Sequence, residues 1–332
     1  MSKQEPIIDA HAHFVPQSML DELTSQKQKF PSIKVAVENN NVRFTFGANE
    51  PKRPVPSGMS DVERRRGWLA ERGIDKQVVA GWLDTFGYEL SPEEALDWNR
   101  FINAHMLKAT AELPFFVPLA TVPMQSGKLA ARALEEALDQ GFHGAVIGTQ
   151  PKGTTGVLDD PDLQPFWEAA SARKATLFVH PTFGARDDRL KAHGLVSAVG
   201  RATDTTIAVA RLLYSGHLTR YPGVNLMISH GGAALPMLLG RLRRSFATAP
   251  AGRSDPAEGF ARLYFDSVVY DVPTLRYVCE LAGTDRMLMG TDEPFAIGEP
   301  QPVNFVKAAK FAEADERAIL GGNAMKLFNI KI

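Results

Sequence analysis

Eight short apolar runs recur along the chain, most followed by a stretch patterned for a helix. This alternation constrains the fold more than any other feature of the sequence. The runs fall at 6–9, 77–83, 115–122, 144–148, 176–179, 225–229, 263–269 and 286–290, and each is rich in Val, Ile, Leu, Phe or Ala. A strand with one wet face alternates apolar and polar residues, so runs that are apolar at nearly every position suit parallel strands covered on both faces. Between them, 128–140 puts Leu129, Ala133, Leu134, Ala137 and Leu138 on one helical face, and 162–173 and 205–217 are patterned likewise. Eight strand–helix pairs predict an α/β fold of the (β/α)₈ TIM-barrel type rather than an open sheet. The 332 residues accommodate such a barrel as a single domain, 1–332, with room for insertions.

One insertion is legible. Segments 33–38 and 42–46 alternate apolar and polar residues around the turn cluster 39–41, which predicts a small β-hairpin between the first and second barrel strands. A loop with Pro51, Pro54 and Pro56 follows, and the whole insertion, 30–58, is expected to cap the barrel mouth. A second long excursion, 184–202, comes after the fifth strand.

Composition excludes several classes of function. Hydrophobic residues make up 44% of the chain, charged residues 23%, and the formal net charge is -1, so no bulk charge points to nucleic acid. No apolar stretch approaches the roughly 18 residues of a membrane span. With a single cysteine, Cys279, no intrachain disulfide can form, and the opening MSKQEPIIDA has no apolar signal core. A cytoplasmic protein is expected, with a small-molecule partner and neither nucleic acid nor membrane.

The chemistry-bearing residues cluster at strand ends. IIDAHAHF puts His11 and His13 two apart directly after the first run, where extended residues i and i+2 project to one side. LFVHPTFG, LMISHGG and LMGTDEPF put His180, His230 and Asp292 after the fifth, sixth and eighth runs. The carboxyl ends of barrel strands converge on one cleft, where barrel active sites lie. A lone H-x-H carries little weight, a lone His after a strand is more often a hydrogen-bonded core residue, and Asp292 alone could cap a turn. Four histidines and one aspartate at four strand ends, in barrel order, predict a metal site. Imidazole nitrogens with one carboxylate suit zinc or a similar divalent ion. His105, His143 and His217 read as structural, and His193 lies in the loop after the fifth strand.

These motifs resemble the amidohydrolase superfamily, in its second, decarboxylase-rich branch. IDAHAHFVP, ATVPMQS, LFVHP, TTIA at 205–208, SHGGAALPMLLGR, GTDEPF and GGNA stand in the branch's order over nearly the whole chain. The resemblance implies one divalent metal, zinc with manganese as the alternative, bound by His11, His13, His180 and Asp292, with water completing the site. It implies that His230 does not ligate but hydrogen-bonds that water and acts as general base, with Asp292 also placed in the catalytic set. The fourth strand ends GAVIGT, without the bridging carbamylated lysine of two-metal relatives, which argues for a single ion. The resemblance further implies a homodimer in which Arg241 reaches a substrate carboxylate across the interface, and gives Arg43 as the approximate counterpart of a lid arginine. Phe86, Tyr88 and Phe295, from strand-end segments, are candidates to stack on a planar substrate. The chain departs from the branch's decarboxylase in its strand-five loop, which has no aromatic residue between Asp188 and Gly200. The expected activity is non-oxidative decarboxylation of a small, anionic, unsaturated or aromatic carboxylate. Hydrolysis of a C–N or lactone bond, or hydration, are the alternatives.

Overall fold

The computed structural model describes residues 5–26, 29–38, 41–153 and 155–331. Each of the eight apolar runs forms a barrel strand. In chain order the strands are β1 (Ile8–His13), β2 (Ile33–Glu38), β3 (Asn41–Phe46), β4 (Lys76–Ala80), β5 (Phe116–Pro118), β6 (Ala120–Thr121), β7 (Ala145–Gly148), β8 (Thr176–His180), β9 (Asn225–Ile228), β10 (Leu263–Asp266) and β11 (Met287–Leu288). Parallel pairing joins β1–β4–β5 and, separately, β6 through β11. β5 and β6 are two halves of one barrel strand. At Leu119 the backbone changes partner: Leu119 N donates to Val79 O on one side and Ala120 N to Gly144 O on the other.

The ring closes where the last strand meets the first. Ala10 N donates to Met289 O at 2.8 Å, Asp292 N to His11 O at 2.9 Å and His13 N to Glu293 O at 2.7 Å, with Ala12 and Glu293 bridged in parallel. The barrel therefore has no free edge. Helices pack outside it on a continuous core that includes Phe166, Trp167, Phe178, Phe265 and Leu288, all 1% exposed or less.

Two expectations need correction in detail. The first strand begins later than the apolar run and runs through His13, because Ala12 and His13 pair with Val79 and Ala80. The H-x-H is thus part of the strand rather than beyond it. β1 is also irregular, its register shifting between Asp9 and Ala12, so one extra residue sits opposite β4 there. Such bulges re-aim side chains next to sites.

The hairpin predicted in 30–58 is present. β2 and β3 pair antiparallel from Ile33↔Phe46 to Glu38↔Asn41, while 39 and 40 of the expected turn lie outside the described residues. Phe44 and Phe46 are fully buried and, with Phe30, surround Trp98 of helix Pro92–Ala111 at ring-centroid distances of 5.1–6.0 Å. This is a second apolar core, shared with Met19, Leu23, Val55 and Met59, that fastens the insertion to the barrel. No helix among the described residues is long and apolar enough to cross a membrane.

Beneath the mouth a buried polar chain ties β1 to its neighbours. Arg65, 1% exposed, donates Nη1 to Gln77 Oε1 at 2.6 Å and Nη2 to His13 O at 2.9 Å. Gln77 Nε2 and Thr291 Oγ1 both donate to Asp9 Oδ2, and Asp9 Oδ1 accepts from His11 N. Burial holds the Asp9 carboxyl up at about 6 against these donors. Burial also depresses the Arg65 guanidinium, to about 10, against the pull of Glu293. Removing Arg65 strands several buried acceptors and a carboxylate, which costs about 3 kcal/mol or more. Arg65→Ala is therefore expected to lower the unfolding free energy by that amount in urea denaturation, and a loss below about 1 kcal/mol would show that water replaces the guanidinium.

Candidate metal centre

Barrel closure brings four side chains from β1, β8 and the turn after β11 together. The ligating atoms of His11, His13, His180 and Asp292 all lie within 4.8 Å of one another, and all four residues are buried. His13 Nε2 is 3.2 Å and His11 Nε2 3.4 Å from Asp292 Oδ1. Ligands about 2.0–2.1 Å from a tetrahedral ion stand roughly 3.3 Å apart, so these spacings are those of donors around a common ion.

Each ring is oriented by its other nitrogen. His11 Nδ1 is 2.7 Å from Asp266 Oδ2, His180 Nδ1 is 3.0 Å from Pro181 O, and His13 Nδ1 makes a long 3.4 Å contact with Gly81 O. Such partners fix the Nδ1–H tautomer and leave the Nε2 lone pairs pointing inward. His11 Nε2 and His180 Nε2 are buried and have no hydrogen-bond partner among the described residues. Orphaned inward acceptors beside a carboxylate are what a cation would satisfy, so the donor set fits a divalent ion.

The electrostatics agree. Burial lowers His11, but the charges of Asp266 and Asp292 outweigh it and raise the imidazole to about 10. Burial holds His13 down, and burial together with the neighbouring histidines holds His180 well below its ordinary value. Burial raises Asp292, but His11, His13 and His230 outweigh it and pull the carboxyl well below its ordinary value. The ring thus contains one site that attracts positive charge and two imidazoles that resist protonation.

His230 stands beside this group. Its Nε2 is 3.6 Å from Asp292 Oδ2, its ring centroid 4.9 Å from that of His180, and its side chain is 22% exposed. Its backbone N donates to Asp266 Oδ2 at 3.0 Å and Gly231 N to Asp266 Oδ1 at 2.9 Å. One buried carboxylate therefore orients both His11 and the loop that carries His230. Asp266 was not legible as a site residue, although it ends the seventh strand in the sequence FDS.

A cavity of about 420 Å³ opens from the centre, with His180, His230 and Asp292 at its wall. Arg53, Arg201, Val269, Tyr270, Phe295 and Ile297 also line it. His230, Ala233, Tyr270 and Asp292 have φ of 55–62°, half of the non-glycine residues in that region among those described. Left-handed backbone in such residues persists where surrounding structure imposes it, and it gathers at functional sites.

The expected substrate contacts divide. Phe295 lines the cavity, its ring 5.3 Å from that of His13. Phe86 does not: it is 2% exposed within the barrel core. Tyr88 is buried too, its hydroxyl accepting from Gly148 N at 3.0 Å. Arg43 does not line the cavity either, because Phe44 and Phe46 take the inward face of β3 and Arg43 lies beside Glu38 at 3.8 Å. The same insertion supplies Arg53 instead. Arg241 is exposed on helix Leu235–Thr248 and is not part of this chain's own cavity. Arg201 and Tyr270 were missed, since nothing in the sequence separates them from surface residues. Of the other histidines, His105 Nδ1 meets Ser18, His143 Nδ1 meets Phe328 O, His217 Nδ1 meets Ser215, and His193 is exposed.

Fold and site together define a metal-binding (β/α)₈ enzyme with a single candidate ion position among the described residues. The chain belongs to the amidohydrolase family, whose sequence pattern matches residues 8–330. It is 30% identical over 286 residues to 2-amino-3-carboxymuconate-6-semialdehyde decarboxylase of Dictyostelium discoideum, covering 84% of this chain and 79% of the relative. It is 26% identical over 292 residues to γ-resorcylate decarboxylase of Polaromonas sp. strain JS666, covering 82% and 89%. In fold it resembles the crystal structure of 5-carboxyvanillate decarboxylase from Sphingomonas paucimobilis, with a TM-score of 0.82 and 24% identity over 98% of this chain and 99% of that one.

Partners of metal-ligating histidines typically contribute about 10–100-fold in metal affinity. Asp266→Asn, which keeps the shape and removes the charge, is expected to weaken metal binding by that factor in a chelator competition titration. Unchanged affinity would mean that Asp266 serves the loop alone.

Proposed function

We propose that this chain is a metal-dependent non-oxidative decarboxylase, a carbon–carbon lyase acting on a small aromatic or unsaturated carboxylate. The observation that carries the reading is the four-residue cluster with His230 beside it, His180, Asp292 and His230 standing at the wall of a largely apolar cavity. The decarboxylases among its relatives support it. One divalent ion held by His11, His13, His180 and Asp292 would polarise a bound oxygen and acidify water. Zinc is our assignment from the imidazole-rich donors, and manganese is compatible with the same set. A decarboxylase from Polaromonas sp. JS666, similar in fold at a TM-score of 0.77, was solved with bound manganese and 2-nitroresorcinol.

The chain's own residues then have defined tasks. Val268, Val269, Phe295 and Ile297 offer an apolar wall to a planar, conjugated substrate and limit water. Arg53, held by Asp84 through two contacts of 2.8 and 3.2 Å, puts positive charge at the mouth and favours anions. The 30–58 insertion that carries it serves as the cap of a single domain. His230 moves the proton: as base it takes one from a water molecule, leaving hydroxide, and as acid it gives that proton to the substrate carbon. The bond to the carboxylate carbon breaks, its electron pair stays on the substrate, and the imidazolium supplies the proton that forms the new C–H bond while CO₂ leaves. Asp292 Oδ2 faces His230 Nε2 at 3.6 Å.

The same reading includes a homodimer. Arg241 shares its helix with Met237 and Leu238, which are 72% and 36% exposed, and Ile207 on helix Arg201–Tyr214 is 52% exposed. An apolar face of this kind suits a second copy, and Arg241 would complete the partner's site with a bidentate guanidinium. The lone Cys279, buried and free, agrees with a reducing, cytoplasmic setting.

Three outcomes are expected. Metal-loaded enzyme should release one CO₂ per turnover and place deuterium at the vacated carbon in D₂O, whereas turnover giving an amine or alcohol with an acid, and no CO₂, would point to a hydrolase. His230→Ala should lose about 10²-fold or more in kcat with metal content unchanged, and loss of the metal would make His230 a ligand. Arg241→Ala should raise KM in a protein that sediments as a dimer, and a fully active monomer would contradict the shared site.

A further inference from the structure

The cavity beside the metal centre contains a cation with no ion-pair partner among the described residues. Arg201 stands where the π-helical turn Val196–Gly200 runs on into the helix Arg201–Tyr214, at the end of the excursion that follows β8. Its Nε is buried, and the guanidinium makes no hydrogen bond or ion pair among the described residues. Burial, and then the nearby charge of Arg53, depress it, while Asp84 and Asp292 act on it only through space. Arg53, the other arginine on the cavity wall, is already paired with Asp84.

A structural role does not account for this placement. A partly buried guanidinium without a partner costs free energy that an ion pair would offset. Arg201 instead lines the cavity together with Ala198, Ala202, Val269 and Phe295, so an anion entering between apolar walls would meet a free, planar, two-pronged donor. On the decarboxylase reading the departing carboxylate would lie by the His11/His13/His180/Asp292 cluster and His230, which leaves Arg201 without a counter-charge.

We propose that Arg201 anchors a second anionic group of the substrate, a carboxylate distinct from the one that departs, so that the substrate class is planar dicarboxylates. This rests on the decarboxylase reading and narrows it: Arg201 is a specificity-determining residue. The departing carboxylate is handled at the metal end, and the retained one stays fixed on Arg201 before and after loss of CO₂.

The test is calorimetric binding of unreactive probes to the metal-loaded holoenzyme, with benzoate compared against benzene-1,2-, 1,3- and 1,4-dicarboxylate. At least one dicarboxylate is expected to bind roughly tenfold or more tightly than benzoate, the scale of a charge-assisted contact. Arg201→Gln should erase that preference, leaving benzoate affinity within about twofold, and Arg201→Lys should restore part of it. The melting temperature of Arg201→Gln should be unchanged or higher, because an unpaired buried charge is removed. No preference for any dicarboxylate in the wild type, equal weakening of all probes in Arg201→Gln, or a lowered melting temperature would each overturn the proposal. CO₂ release keeps the two readings apart. An enzyme that decarboxylates monocarboxylates and shows no dicarboxylate preference refutes the anchor alone. An enzyme with the preference whose turnover releases no CO₂ refutes the lyase reading and leaves the anchor standing.

Discussion

The site depends on the closure of the barrel. Asp292 N bonds to His11 O and His13 N to Glu293 O, and these two backbone contacts put His13 and Asp292, 279 positions apart, within 3.2 Å. A parallel strand pair at the closing seam is rigid because both partners are buried and both backbones are committed. The left-handed backbone at Asp292, with φ of 62°, then turns the carboxylate back over the ring of histidines. Without that seam the eighth run would end in an ordinary turn, and the aspartate would face water.

Around the seam, buried charges are arranged so that each answers another. Asp9 is held by Gln77, Thr291 and the His11 amide, Asp266 by His11 and the amides of His230, Gly231 and Val268, and Glu293 by Arg64 and Arg65. Burial raises the Asp266 carboxyl, yet the His11 charge and these donors bring it below its usual value. The field that favours a proton on His11 also favours a cation between the Nε2 atoms and Asp292, which is why one set of residues reads both as an ion-pair network and as a metal centre. Arg201 is the exception on the cavity wall, charged, partly buried and without a partner among the described residues.

Much of this was legible in the sequence, for physical reasons. Parallel barrel strands must be apolar on both faces, so all eight stand out as runs, and side chains at their carboxyl ends must converge, so His11, His13, His180, His230 and Asp292 group from the sequence alone. The hairpin showed as period-two alternation. What failed was register and direction. The start and end of β1 depend on pairing with β4 and on a bulge, neither of which has a composition signal. Phe86 and Tyr88 were placed near the mouth by their position after a strand, but they turn inward to the core. Arg43 came from the resemblance to a lid arginine, and only the structure shows that Phe44 and Phe46 take the inward face of β3 while Arg53 of the same insertion reaches the cavity. Asp266 and Arg201 act through partners, or the lack of them, that no single sequence position reveals.

The central claim is that one ion is held by His11, His13, His180 and Asp292, with His230 outside its coordination. Anomalous diffraction from crystals of the metal-loaded protein, recorded on both sides of the metal's absorption edge, tests it directly. The account predicts a single anomalous peak per chain, bounded by the three Nε2 atoms and an Asp292 oxygen. A second peak near the end of β7, or a single peak ligated by His230, would contradict it.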